Sequence, residues 1–194
     1  MSLWLWIALA VLVVLGLYAV YAYNSLVRVR NEAETGWANI DVQLRRRTDL
    51  IPNLVEAVKG YAAHEREVFD EVTRARAAVM SASGPQAAAE ANTMLGAALG
   101  RLFAVAEAYP QLRASENFMQ LQEELTDTED KIAAARRYYN ATVLRFNTRQ
   151  QTFPTLIVAS LFRFSPREFF EAGEDAEAPV EVAFGSRYPR WRRP

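Results

Sequence analysis

The 194-residue chain has no cysteine and a single histidine, His64. The first absence excludes a disulfide scaffold, a thiol nucleophile, a zinc ribbon and an iron–sulfur site. The second removes multi-histidine metal sites and most His-dependent catalysis. The phosphate-cradling patterns G-x-x-x-x-G-K-[ST] and G-x-G-x-x-G are missing, as is the G-x-S-x-G elbow that would present a serine nucleophile. Helical bundles can house di-iron centres built on Glu-x-x-His pairs, but Tyr61 stands three residues before His64. His64-Glu65 begins like a zinc-protease motif, yet Val68 occupies the position of the second histidine. His64, beside Glu65 and Arg66, is expected to be solvated or hydrogen-bonded, and only its intrinsic pKa speaks for pH sensing. The residues that remain predict no catalytic group, no cofactor and no metal ligand. A net charge of −1 argues against a nucleic-acid partner. An apolar share of 51% with 23% charged residues is that of a folded chain.

Charge is also absent from Met1 to Val27, and Leu3 to Tyr23 is almost continuously apolar. That length makes a helix of roughly 30 Å, the thickness of a bilayer's hydrocarbon core. Trp4 and Trp6 lie at one end and Tyr18, Tyr21 and Tyr23 at the other, where interfacial rings belong. A cleaved signal peptide fits poorly, because no basic n-region precedes the run and no small-x-small site follows it. Arg28 and Arg30 follow directly, with Arg45, Arg46 and Arg47 not far beyond. The bias predicts a single span with a short outside N-terminus and everything after Tyr23 cytoplasmic. Gly16 has no GxxxG partner and says little about helix pairing.

Beyond the span the pattern is helical throughout. Leu26, Val29, Ala33, Trp37, Ile40 and Leu44 recur at helical spacing, with no breaker between them and the span, so one rod is expected to leave the membrane. Thr48 or Asp49 is expected to cap a second helix with Pro52 in its first turn, carrying Leu54, Val58, Tyr61, Glu65, Val68, Val72 and Ala75 up to Ser81–Pro85. A third, alanine-rich helix from about Gln86 to Tyr109 uses Leu95, Leu99, Leu102 and Val105, and Pro110 stops it. Gly96 and Gly100 on it are read as allowing close helix packing. Ser115 caps a fourth helix with the stripe Phe118, Leu121, Leu125, Thr128, Ile132, Ala135, Tyr139, Thr142 and Phe146. The expected fold is all-α: a transmembrane helix (residues 1–23), then a long antiparallel four-helix bundle (24–152).

The last forty residues depart from this rhythm. Residues 153–170 hold an apolar run, Leu156 to Phe164, too short to span a bilayer and expected to fold back on the bundle's open end. Membrane-surface contact is the minor reading. Ser165-Pro166 is expected to start a short helix through Phe170. Residues 171–194 are acidic and then basic and are expected to form a flexible, solvated tail, in which Arg187, Arg190, Trp191, Arg192 and Arg193 are candidates for contact with the membrane surface.

Polar residues punctuate the helices. Asp41, Arg45, Arg46, Arg47, Asp49 and Asn53 crowd the expected hairpin between the first two helices and form a candidate interaction surface. Asn117, Glu129, Arg136, Arg137, Asn140 and Asn147 mark the fourth. Their plainest role is capping, ion pairing and fixing of helix register.

The stretch Gly36 to Glu65 (GWANIDVQLRRRTDLIPNLVEAVKGYAAHE) closely resembles the LemA family. So do Tyr23-Asn24, Arg30-Asn31, Glu107 to Leu112, Asn117-Phe118 and Leu121 to Asn140 (LQEELTDTEDKIAAARRYYN). The likeness runs from about Tyr23 to Phe170; Arg45 stands where the family often has lysine, which keeps the charge. The resemblance implies a single-pass, N-out inner-membrane protein with a long helical bundle and no settled activity. It also implies a link to membrane remodelling in magnetosome-forming bacteria, and to genes beside a membrane-embedded stress metalloprotease. The expected function is a non-enzymatic, self-associating scaffold, a homo-oligomer on the cytoplasmic face. The alternative is an adaptor or regulator of a membrane protease or signalling protein.

Overall fold

The computed structural model describes residues 3–62 and 64–171. Among them there are only helices and connections, with no strand. The helices are α1 (Leu3–Lys59), α2 (Arg66–Ser81), α3 (Pro85–Glu107), α4 (Pro110–Arg113), α5 (Glu116–Gln151) and α6 (Thr155–Leu161).

Helix α1 is 57 residues long, about 85 Å at the standard rise. Its N-terminal part is long and apolar enough to cross a membrane, and none of its most apolar window is buried. From Ala22 onward the same helix turns a face inward, burying Leu26, Val29, Ala33, Ile40 and Leu44 at steps of three, four or seven. The expected continuity of the rod therefore holds.

The expected start of a new helix at Thr48 or Asp49 does not: α1 runs through Pro52. Proline has no N–H, so the carbonyl of Thr48, four residues back, loses its intrahelical donor. Arg76 of α2 replaces it, its Nε donating to the Thr48 oxygen at 2.8 Å. The chain instead turns after Lys59, where the Tyr61 and Ala62 N–H groups both bond the Val58 carbonyl at 3.0 and 2.9 Å. Leu54 and Val58 thus belong to α1, while Val72 and Ala75 belong to α2.

Gly84 takes a left-handed φ of 89° before Pro85 opens α3. Pro110 ends α3 as its chemistry requires, but also begins the single turn α4. Ser115 caps α5, its Oγ accepting from the Phe118 N–H at 3.3 Å.

One core joins the four long helices. Leu54 of α1, Val72 of α2, Leu95 and Leu102 of α3, and Val143 of α5 are fully buried in it. The principal pairings are α1 with α5 and α2 with α3. Arg46 meets Asp127, Glu32 meets Arg145, and Ser25 meets Arg149, so α1 and α5 run in opposite directions. They pack closely at Gly36, where a Cβ would lie 3.3 Å from Tyr138 Cδ1 and 3.4 Å from Tyr139 Cα. A Cβ there would need the Tyr138 ring to give by a few tenths of an ångström.

No helix forms over Ser165–Phe170, contrary to expectation. That segment is a strap along α5, and two asparagines hold it. Asn147 Oδ1 accepts from the Arg167 N–H and its Nδ2 donates to the Arg167 carbonyl, both at 2.9 Å. Asn140 clamps Phe170 in the same way, at 2.9 and 3.3 Å. Seven helical residues rise about 10.5 Å and three extended residues reach about 10 Å, so the clamps are in register. A helix here would need those N–H and C=O groups for its own ladder. Tyr139 Oη adds a bond to the Glu168 carbonyl at 2.8 Å. Before the strap, the apolar residues form α6, which packs on both α1 and α5. Arg187, Arg190, Trp191, Arg192 and Arg193 lie outside the described residues.

Candidate functional site

The charged stretch Asp41–Asn53 sits mid-helix in α1, not in a hairpin. Consecutive residues on a helix diverge by about 100°, so Arg45, Arg46 and Arg47 leave it in three directions. Arg45 is exposed and bonds Asp41 one turn back at 2.9 Å. Arg46 reaches α5, 3.6 Å from Asp127, whose carboxylate also takes Lys131 at 2.7 Å. That Lys131 hydrogen bond holds the Asp127 carboxyl below the usual carboxylate range, helped by the positive charges of Lys131 and Arg46.

Arg47 points into the protein and is only 7% exposed. Its Nη1 donates to Asn92 Oδ1 of α3 at 2.7 Å and pairs with Glu129 of α5 at 2.5 Å. One side chain of α1 thereby ties together α3 and α5. Its Nε is buried with no partner among the described residues. Burial lowers the guanidinium's pKa from its ordinary value while Glu129 pulls the other way. Arginine starts so high that it stays charged at any physiological pH.

Above Arg47 lies an open groove of about 520 Å³ between α3 and α5. Asn92, Gly96 and Gly100 form one wall, Gln122, Glu129 and Asp130 the other, with Arg136 at its edge. The helices close on each other at Phe103 and Phe118, whose ring centroids are 6.2 Å apart. Among the described residues a Cβ on Gly96 or Gly100 would meet nothing within 4 Å, so neither glycine serves helix packing there. The groove offers two cations, two carboxylates and amide side chains. That set can recognise a polar surface, but holds no nucleophile activated by a base.

The other predicted residues divide. Asp41, Arg45 and Asp49 share a second cleft of about 290 Å³ with Trp37 of α1 and Met80 of α2. Asn53 is exposed and faces Asn117 and Glu124 of α5 across another cleft. His64 is exposed in the α1–α2 connection. Among the described residues, no three of His, Cys, Asp and Glu are grouped to hold a metal. Sequence reasoning missed Asn92 and Arg76. Arg76 had a signal, since Pro52 leaves one carbonyl free one turn upstream; Asn92, a lone amide in an alanine-rich helix, had almost none.

Comparison with known proteins matches residues 36–184 to the model of the LemA family. The chain is similar to magnetosome protein MamQ of Magnetospirillum gryphiswaldense, 27% identical over 184 residues that cover 81% of this chain and 68% of the relative. Magnetosome protein MamQ 2 of Paramagnetospirillum magneticum is 26% identical over 204 residues, 89% of this chain and 75% of that one. Protein LemA of Metamycoplasma hominis is 27% identical over 161 residues, 82% and 74% of the two chains.

Proposed function

The chain belongs to the LemA family, and on that premise we propose that it is a non-enzymatic membrane-anchored protein whose antiparallel four-helix bundle self-associates to organise the inner membrane. The residues before Tyr23 cross the bilayer with the N-terminus outside, and the bundle works on the cytoplasmic face. One observation carries this reading: a single unbroken helix begins as a bilayer-length apolar stretch and ends inside the packed core. Span and bundle are therefore one rigid object, suited to holding partners at a set height above the lipid. The similarity to magnetosome proteins is in keeping with a role at membranes.

Cross-linking in native membranes followed by size analysis tests it. Discrete multimers are expected; monomer alone, with no partner, refutes self-association. A second reading, an adaptor for a membrane protease or signalling protein, is favoured by the polar groove over Arg47, which no part of the described chain fills. On that reading Gly96→Leu, which adds bulk where the chain itself has open space, abolishes capture of the partner while leaving the multimers intact. Unchanged capture refutes it.

A further inference from the structure

We propose that α6 and the turn before it form a second membrane contact, a short wedge lying in the interfacial layer of the leaflet beside the span. The inference rests on the reading that the first part of α1 crosses the bilayer. Tyr18 Oη and Thr155 Oγ1 are 3.1 Å apart. Tyr23 packs its ring against Phe162 and Phe164, with centroids at 4.7 and 5.8 Å. Ala159 is buried in a small cluster with Leu26, Val29 and Phe146. So α6 lies along α1 between Tyr18 and about Leu26. Tyr18 is five residues inside the span's end at Tyr23, about 7.5 Å along the axis. The start of α6 at Thr155 is therefore about that far below the span's end, within the layer of about 5–10 Å at the headgroup and acyl boundary where interfacial apolar side chains are buried.

The surface of the wedge fits that depth. Val158 and Ala159 face the protein, whereas Phe153 and Leu161 are 75% exposed, with Leu156, Ile157 and Phe162 exposed beside them. No residue from Gln150 to Phe162 is charged. Such an apolar surface on a water-bathed helix would be costly; against acyl chains it is satisfied. Directly on the water side come Arg28, Arg30, Arg149 and Arg163. Arg149 is held by Ser25 at 2.6 Å, and Arg30 lies over the Phe164 ring at 5.6 Å. No acidic residue occurs in 18–31 or 146–167, and among the described residues only Arg30 of these four arginines lies near a carboxylate, 4.0 Å from Glu34. The occupant is therefore a lipid surface, and the arginine collar selects anionic headgroups.

The absence of cysteine permits single-cysteine variants of the full chain without background. Leu12→Cys, Ile157→Cys, Leu161→Cys and Met119→Cys would each carry an environment-sensitive fluorophore. The labelled proteins are reconstituted in vesicles of phosphatidylcholine and phosphatidylglycerol doped with lipids bearing nitroxides at the headgroup or deep in the acyl chain. Deep quenching is expected at position 12, loss of emission mainly to the headgroup nitroxide at 157 and 161, and none at 119. If 157 and 161 behave like 119 while 12 is quenched, the wedge is refuted and the span stands. A blue-shifted but unquenched fluorophore at 157 and 161 means that protein covers α6, which also overturns the proposal. No quenching at 12 overturns the span, and the wedge with it.

Discussion

Replacing Asn147 with alanine removes both halves of the clamp on Arg167, the accepted N–H and the donated amide, each at 2.9 Å. A neutral hydrogen bond contributes about 1 kcal/mol net. The site is half-buried, so water recovers part of the loss, and a local cost of about 1–2 kcal/mol is expected. At about 1.4 kcal/mol per factor of ten, the strap should open roughly 5–30 times more often. It should still redock, because Phe170 is 3% exposed and burying such a ring contributes about 2–3 kcal/mol. Hydrogen exchange read by mass spectrometry on the full chain in detergent checks this: peptides spanning Phe164–Glu171 exchange faster by that factor, while those around Ile132 do not change. Asn147→Asp keeps an acceptor for the Arg167 N–H but turns a second oxygen toward the Arg167 carbonyl, so it should exchange at least as fast as the alanine variant. Unchanged exchange in the strap, or equal loosening of α5, would refute the clamp as its support.

Two further outcomes follow from buried groups. Arg47→Met keeps the volume and removes a desolvated charge, and Glu129, half exposed, rehydrates; stability by chemical denaturation should stay within about 1 kcal/mol of the parent. Arg47→Ala leaves a void and should cost about 2–4 kcal/mol, and equal losses in the two variants would show that charge pairing, not packing, holds the site. Burial of Tyr139 raises its phenol pKa above the ordinary value, Glu168 adding and Arg167 opposing. A raised folded pKa gives stability that is fully present below the unfolded value near pH 10 and lost as pH rises through the folded one. Thermal melts between about pH 9 and 11 should fall less for Tyr139→Phe than for the parent; parallel curves would exclude the linkage.

Periodicity made most of the helices legible. The stripes from Leu26 to Leu44 and from Phe118 to Phe146 are buried along α1 and α5 apart from the partly covered Trp37, Leu121 and Ala135. Ser115 was readable because its hydroxyl has an obvious local target. Pro52 misled, since its effect depends on Arg76, a residue from another helix that repairs the damage. Ser165-Pro166 misled for a related reason: local preference for a helix start lost to two asparagines on α5. In both places a distant side chain supplied a backbone partner, and no local window of sequence contains that information. The candidate surface was legible as composition but not as geometry. Three adjacent arginines read as one patch, yet helical rotation sends one to solvent, one to α5 and one to the core.

On the reading that its first part crosses the bilayer, the unbroken course of α1 makes the membrane one end of a lever. From Tyr23 to Lys59 the helix extends about 54 Å past the span. Spans adjust their tilt to bilayer thickness, and a tilt of about 10° about the membrane surface would swing the far tip by roughly 9 Å. On that reading a change in lipid thickness of a few ångströms would be amplified into a displacement the size of a helix diameter, delivered where α1 meets α2.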